Sequence, residues 1–178
     1  MKDNGFMIDS DGICLFITLT LRPSLPGRLI LIFLNAVLAG IITVAAIHEI
    51  PALLIVSALI FLLLIRYSLW NFYGKEHLTI NTKSIRYQHE YGFFKTTAQT
   101  NKIGRSLMVE AQNIYQSGKS KQVRLVFVSH DENDFPEEVY HVAIPITQKN
   151  ANAVIRGINL LYMDKVTDDY SLPPIHMN

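Results

Sequence analysis

From Leu29 to Ile65 the chain carries a single formally charged residue, Glu49. Few folds tolerate that. Leu29 to Ile47 is a charge-free run of nineteen residues, and as a helix it would be about 28 Å long, close to the thickness of a hydrocarbon core. A second apolar run begins at Ile50. Carried on to Trp70 it reaches about 31 Å, with Arg66 snorkelling to the headgroups and Trp70, Phe72 and Tyr73 forming an interfacial aromatic belt. One helix through both runs would be nearly twice too long, and Pro51 suits the first turn of a new helix better than the middle of an old one. The spacing therefore predicts two transmembrane helices joined by a tight hairpin at His48-Glu49.

The alternative is a soluble helical hairpin in a large core. About a hundred remaining residues are too few to cover two helices that are apolar all round. Arg22 and Arg28 precede the hairpin, Arg66 and Lys75 follow it, and no Lys or Arg lies between them. The positive-inside rule then puts both termini in the cytoplasm of a multi-pass protein of the cell membrane. Ala36, Ala39 and Gly40, facing Ala52, Ser57 and Ala58, are expected to let the two helices approach closely. Asn35 and Thr43 are the strongly polar groups at depth, and a lone Asn is expected to bond the neighbouring helix rather than line a path. Cys14, the only cysteine, excludes an intramolecular disulfide.

After Gly74, which fits a helix C-cap, the period changes from helical to two. Leu78 and Ile80 share a face, Ile85, Tyr87, His89 and Tyr91 alternate with polar residues, and Tyr91-Gly92 is a turn. Phe93 to Ala98 reads as a strand. Leu107, Val109 and Ala111, then Val123, Leu125 and Phe127, read as a hairpin, and Tyr140, Val142, Ile144 and Ile146 as the face of a last strand. Thr147 can cap a helix burying Ala151, Val154, Ile155, Ile158, Leu161 and Tyr162. Ahead of the hairpin, Leu15, Ile17, Leu19 and Leu21 alternate, so a strand is expected there that joins the same sheet. The expected organisation is residues 1–28 as an N-terminal cytoplasmic segment with one strand, 29–73 as the transmembrane hairpin, 74–164 as a mainly-β domain with a C-terminal helix, and 165–178 as a flexible tail. Six or so antiparallel strands and a closing helix are the element order of a pleckstrin-homology-like (PH-like) barrel.

The hairpin, then Trp70, Gly74-Lys75-Glu76 and Leu78 leading into a β domain that ends in a helix, resembles bacterial membrane-anchored PH-like proteins of the YcxB-like kind, over about Leu15 to Met163. The resemblance implies a non-enzymatic membrane module and supplies no catalytic residues. Phosphoinositide recognition is not implied, because Lys83-Ser84-Ile85-Arg86 lacks the Lys and basic-x-Arg pattern of PH domains that bind it.

Three groups of residues are candidates for interaction. Tyr91, Phe93 and Phe94 form a hairpin tip, and Asp131, Glu132 and Asp134 sit in an acidic loop; either could receive a protein partner. From Arg66 to Arg124 ten basic residues face three acidic ones, so a basic half including Arg66, Lys75, Lys119 and Lys121 could meet anionic lipid, or be simply a solvated surface. Gly118-Lys119-Ser120 resembles the end of a phosphate-binding loop, but Asn113 stands where that motif needs Gly. No Gly-x-Ser-x-Gly elbow or carboxylate pair is present, so no catalytic residue, cofactor or metal is expected, and no nucleic acid. The leading expectation is a membrane protein displaying a PH-like domain as an interaction or scaffolding module. The alternative is a membrane-bound enzyme or metal-dependent hydrolase using His130, Asp131 and His141.

Overall fold

The computed structural model describes residues 2–3, 5–117, 120–131 and 135–169. They form two compact units. One comprises residues 1–19, 76–88 and 97–178, the other 20–75 and 89–96.

The strands make two sheets. In the larger, β1 (Lys2–Asp3), β2 (Phe6–Ser10), β3 (Leu15–Thr20), β4 (Gly74–Ile80), β5 (Ser84–Tyr91) and β6 (Phe94–Lys95) follow one another in chain order, and β7 (Gln99–Lys102) pairs with β5 beside β6. In the smaller sheet β9 (Ser120–His130) is central, with β8 (Ser106–Ser117) on one side and β10 (Pro136–His141) and β11 (Ile146–Thr147) in succession on the other. The two apolar helices are an insertion between the neighbouring strands β3 and β4. Neighbouring strands in a sheet leave the ends of an insertion close together, and here the Leu21 N–H donates to the Gly74 carbonyl at 2.8 Å.

In the first unit, alternation decides the core. Leu15, Ile17 and Leu19 of β3, Leu78 and Ile80 of β4, Ile85 of β5, and Val123, Leu125 and Phe127 of β9 are all buried. Helix α3 (Gln148–Asp169) closes over them with Ala151, Val154, Ile158 and Leu161 buried at the three-and-four spacing of one face. Its start is capped as expected, Thr147 Oγ1 accepting from the Asn150 N–H at 3.3 Å. Asn101 Nδ2 donates to the Val139 carbonyl at 2.6 Å, tying β7 to β10.

In the second unit, α1 (Leu25–Ile47) and α2 (Pro51–Tyr73) form the hairpin, each long and apolar enough to cross a membrane. Ser24 caps α1 by accepting from the Gly27 N–H, and Pro51 opens α2. Between them Glu49 takes a positive φ of 52°. Only 6% and 11% of the most apolar windows of α1 and α2 are buried, unlike core helices of a soluble protein.

Several expectations need correction. The N-terminal segment holds three strands, not one, and β3 lies inside the sheet between β2 and β4. The strand expected over Phe93 to Ala98 is reduced to β6, with β7 beginning only after it, and the last strand is split into β10 and β11. Helix α3 continues through residues 165–169, where a tail was expected; the rest of that tail lies outside the described residues. The helix seam also differs. It is built from Leu31, Asn35, Leu38, Ile42 and Ala45 of α1 against Leu54, Ser57, Phe61, Leu64 and Ser68 of α2, while Ala36, Ala39, Gly40 and Ala52 face outward. The alternating three-and-four spacing, not residue size alone, selects the seam.

Candidate functional site

The second unit joins the helices to residues 89–96, the tip of the β5–β6 hairpin. That tip is a two-residue turn, Gly92-Phe93, between the paired residues Tyr91 and Phe94, with Gly92 at a φ of 63°. It lies on the last turns of α2. A Cβ on Gly92 would stand 3.8 Å from the Leu69 side chain and 3.9 Å from that of Tyr73.

Trp70 is held by two edge-on ring contacts, to His89 at 5.5 Å and to Tyr91 at 6.4 Å. Tyr91 stacks on Phe94 at 5.9 Å, and the Arg66 guanidinium carbon lies 6.0 Å from the centre of the Tyr91 ring. Thr96 locks the opposite strand: its N–H donates to the His89 carbonyl at 2.9 Å, and its Oγ1 accepts from the His89 N–H at 3.0 Å. These groups border an open cavity of about 290 Å³ lined by Arg66, Trp70, His89, Tyr91 and Thr96. A second cavity of about 260 Å³ shares Arg66 and Tyr91 and is otherwise lined by Ile65, Leu69 and Phe94. Both are walled mainly by apolar surface, the first carrying in addition the polar groups of His89 and Thr96, and Arg66 and Tyr91 are common to both. On β5, Glu90 alternates with His89 and Tyr91 and is paired with Lys75 at 3.6 Å and Lys95 at 3.3 Å.

The hairpin-tip candidates thus separate. Tyr91 is half-buried among Trp70, Phe94 and Arg66, Phe94 lines a cavity while remaining half exposed, and Phe93 is 99% exposed. Of the aromatic belt, Trp70 packs inside the unit and Tyr73 is exposed, 6.2 Å from Phe72. Of the basic candidates, Arg66 is exposed beside Tyr91, Lys75 is engaged by Glu90, Lys121 lies on β9, and Lys119 falls outside the described residues. Asn35 Nδ2 donates to Ser68 Oγ at 2.8 Å, and Thr43 bonds the Ala39 carbonyl of its own helix.

In the first unit, Asp131 accepts from the Phe135 N–H at 2.9 Å and closes its own loop; Glu132 and Asp134 lie outside the described residues. His130 and His141 are not brought together. His141 pairs with Val126, four residues along β9 from His130, which separates them by about 13 Å. His141 contacts Glu138 at 2.7 Å and His130 contacts Ser106 at 3.4 Å. Among the described residues no group of three or more His, Cys, Asp or Glu side chains could hold a metal ion.

Sequence reasoning missed one buried carboxylate. Glu76, 0% exposed, accepts from Tyr140 Oη, from the Ala143 N–H at 3.1 Å and from the Ile144 N–H at 3.1 Å. Burial first, and then the neighbouring Glu76 charge, raise the Tyr140 phenol far above its ordinary value. With its acceptors filled, Glu76 is a clasp between β4 and the chain leaving β10. Its alternation with Leu78 and Ile80 was the signal available.

No protein-family model matches the chain, and no curated protein matches its sequence.

Proposed function

We propose that the chain is a two-span protein of the cell membrane, with both termini in the cytoplasm, that displays a PH-like barrel of the YcxB-like kind as a protein-interaction module. The exposed apolar surfaces of α1 and α2 and the absence of Lys or Arg from Leu29 to Ile65 support the membrane part. Two sheets closed by a C-terminal helix support the PH-like part.

One observation carries the interaction reading. β8 is twelve residues long and pairs with β9 alone, so its other edge has no strand partner among the described residues. Ser106, Met108, Glu110 and Gln112 also expose one of its faces. Long unpaired edges are templates for an added strand, with main-chain hydrogen bonds giving affinity and alternate side chains giving selectivity. A hydrolase built on His130, Asp131 and His141 is not favoured, because two strand-separated histidines do not converge on one substrate atom.

The test is a photo-crosslinking residue at Glu110 of the full-length protein in native membranes, with Asn159, exposed on α3, as the reference position. Discrete protein adducts from Glu110 and not from Asn159 are expected. Equal labelling at the two sites, or none at either, would reject the β8 edge as a recognition surface.

A further inference from the structure

The paired cavities of the helical unit set one shared cation, Arg66, against mainly apolar walls. We propose that Arg66, with Trp70, His89, Tyr91 and Thr96, seats the phosphodiester headgroup of an anionic glycerophospholipid, one acyl chain running along Ile65, Leu69 and Phe94. This rests on the reading that α1 and α2 cross a bilayer, and goes beyond it by assigning one lipid class to one site.

Depth is the first argument. Arg66 directly follows the apolar stretch of α2 that ends at Ile65, and Trp70 lies one turn farther, about 6 Å along the axis. A cavity bounded by these residues therefore sits in the headgroup layer, with the apolar groove of Ile65, Leu69 and Phe94 beside it. Phe93, fully exposed at the turn, suits the same layer as an aromatic anchor.

Charge is the second. Among the described residues no carboxylate lines either cavity. The one acidic residue of the hairpin tip, Glu90, points to the other face of β5, held by Lys75 and Lys95. The Leu21–Gly74 hydrogen bond brings the entry to α1 beside the exit from α2, so Arg22 and Arg28 add to Arg66, Lys75 and Lys95 at this end. Five cations against one carboxylate favour a headgroup with net negative charge over a zwitterionic one, whose cationic group they repel. The planar guanidinium of Arg66 matches two phosphate oxygens at once.

Trp70 is the only tryptophan in the chain and lines the cavity, so its fluorescence reports occupancy directly. Full-length protein is placed in nanodiscs containing phosphatidylglycerol or phosphatidylcholine with brominated acyl chains, at equal mole fractions in an unlabelled background. Half-quenching is expected at about a fivefold lower fraction of brominated phosphatidylglycerol, the factor of one basic contact at an anionic surface. Arg66→Gln should bring the two lipids to parity, Arg66→Lys should retain part of the preference, and inorganic phosphate at matched ionic strength should leave it intact.

Equal quenching of the wild-type protein by the two lipids would overturn the proposal while leaving the membrane reading standing. Quenching by neither would overturn both. Loss of the preference with inorganic phosphate would reassign the site to the free anion and reject the lipid. If Arg66→Gln fails to insert, seen as lost quenching by brominated phosphatidylcholine, the wild-type comparison decides alone.

Discussion

The Tyr140 hydroxyl donates to the Glu76 carboxylate across 64 residues of sequence. With the Ala143 and Ile144 N–H groups on the same carboxylate, it fixes those two residues between β10 and β11, which belong to no strand.

Replacing Glu76 should therefore unclasp that segment. Glu76→Gln presents an amide where backbone N–H groups need an acceptor, and should cost about 1–3 kcal/mol, with Glu76→Leu costing more because every donor is orphaned. Near-UV circular dichroism melting of the full-length protein in detergent measures this, with exposed Glu110→Gln as a neutral reference. Equal midpoints for Glu76→Gln and Glu110→Gln would show that the clasp adds no stability.

The same contact sets an alkaline limit. Tyr140 has a folded pKa above its ordinary value of 10.0, so its contribution to stability is full below about pH 10 and is lost as pH rises beyond the unfolded value. In an ultraviolet titration, Tyr140 should remain protonated beyond pH 10. Tyr140→Phe should remove one late-titrating phenol. Loss of an early one would contradict the assignment.

Periodicity made much of the first unit legible. The alternation of Leu15, Ile17 and Leu19, and of Val123, Leu125 and Phe127, marks buried faces because side chains of a strand point alternately to its two sides. Glu76 obeyed the same alternation, yet its charge argued for the surface; only the donors supplied 64 to 68 residues later make its burial tolerable. β2 was missed because Asp9 and Ser10 dilute a five-residue pattern. The cavity at Arg66 was illegible for another reason: it needs α2 and a β-turn some 25 residues on to meet, and spacing carries no such distance. Outward-facing Ala36, Ala39 and Gly40 mislead, since composition names residues that permit close packing without saying which face is packed.

Gly74 follows directly from geometry. A Cβ there would lie 2.3 Å from the Trp70 carbonyl oxygen, a backbone atom fixed by the last turn of α2, so Gly74→Ala must displace the helix-to-strand junction. A loss of about 1–3 kcal/mol is expected from this overpacking, together with a shifted Trp70 emission maximum. Gly40→Ala, where nothing lies within 4 Å, is the matched control and should change neither. An unshifted emission in Gly74→Ala would mean that the junction has slack absent from this geometry.

Asn35 tests what the polar groups of the helices are for. Its amide donates to Ser68 Oγ at 2.8 Å and to the Leu31 carbonyl at 2.7 Å, while Thr43 bonds only within its helix, to Ala39. A structural cross-link predicts coupling between Asn35→Leu and Ser68→Ala of about 0.6 kcal/mol, and no more than about 1.7, in a double-mutant cycle of unfolding in micelles. Thr43→Val should show none with Ser68→Ala. A pore built from several hairpins demands the reverse, because Asn35 and Thr43 would then share a water-filled axis and couple to each other through it. Measurable Asn35–Thr43 coupling without Asn35–Ser68 coupling would therefore favour conduction over packing as the reason these groups lie within the apolar span.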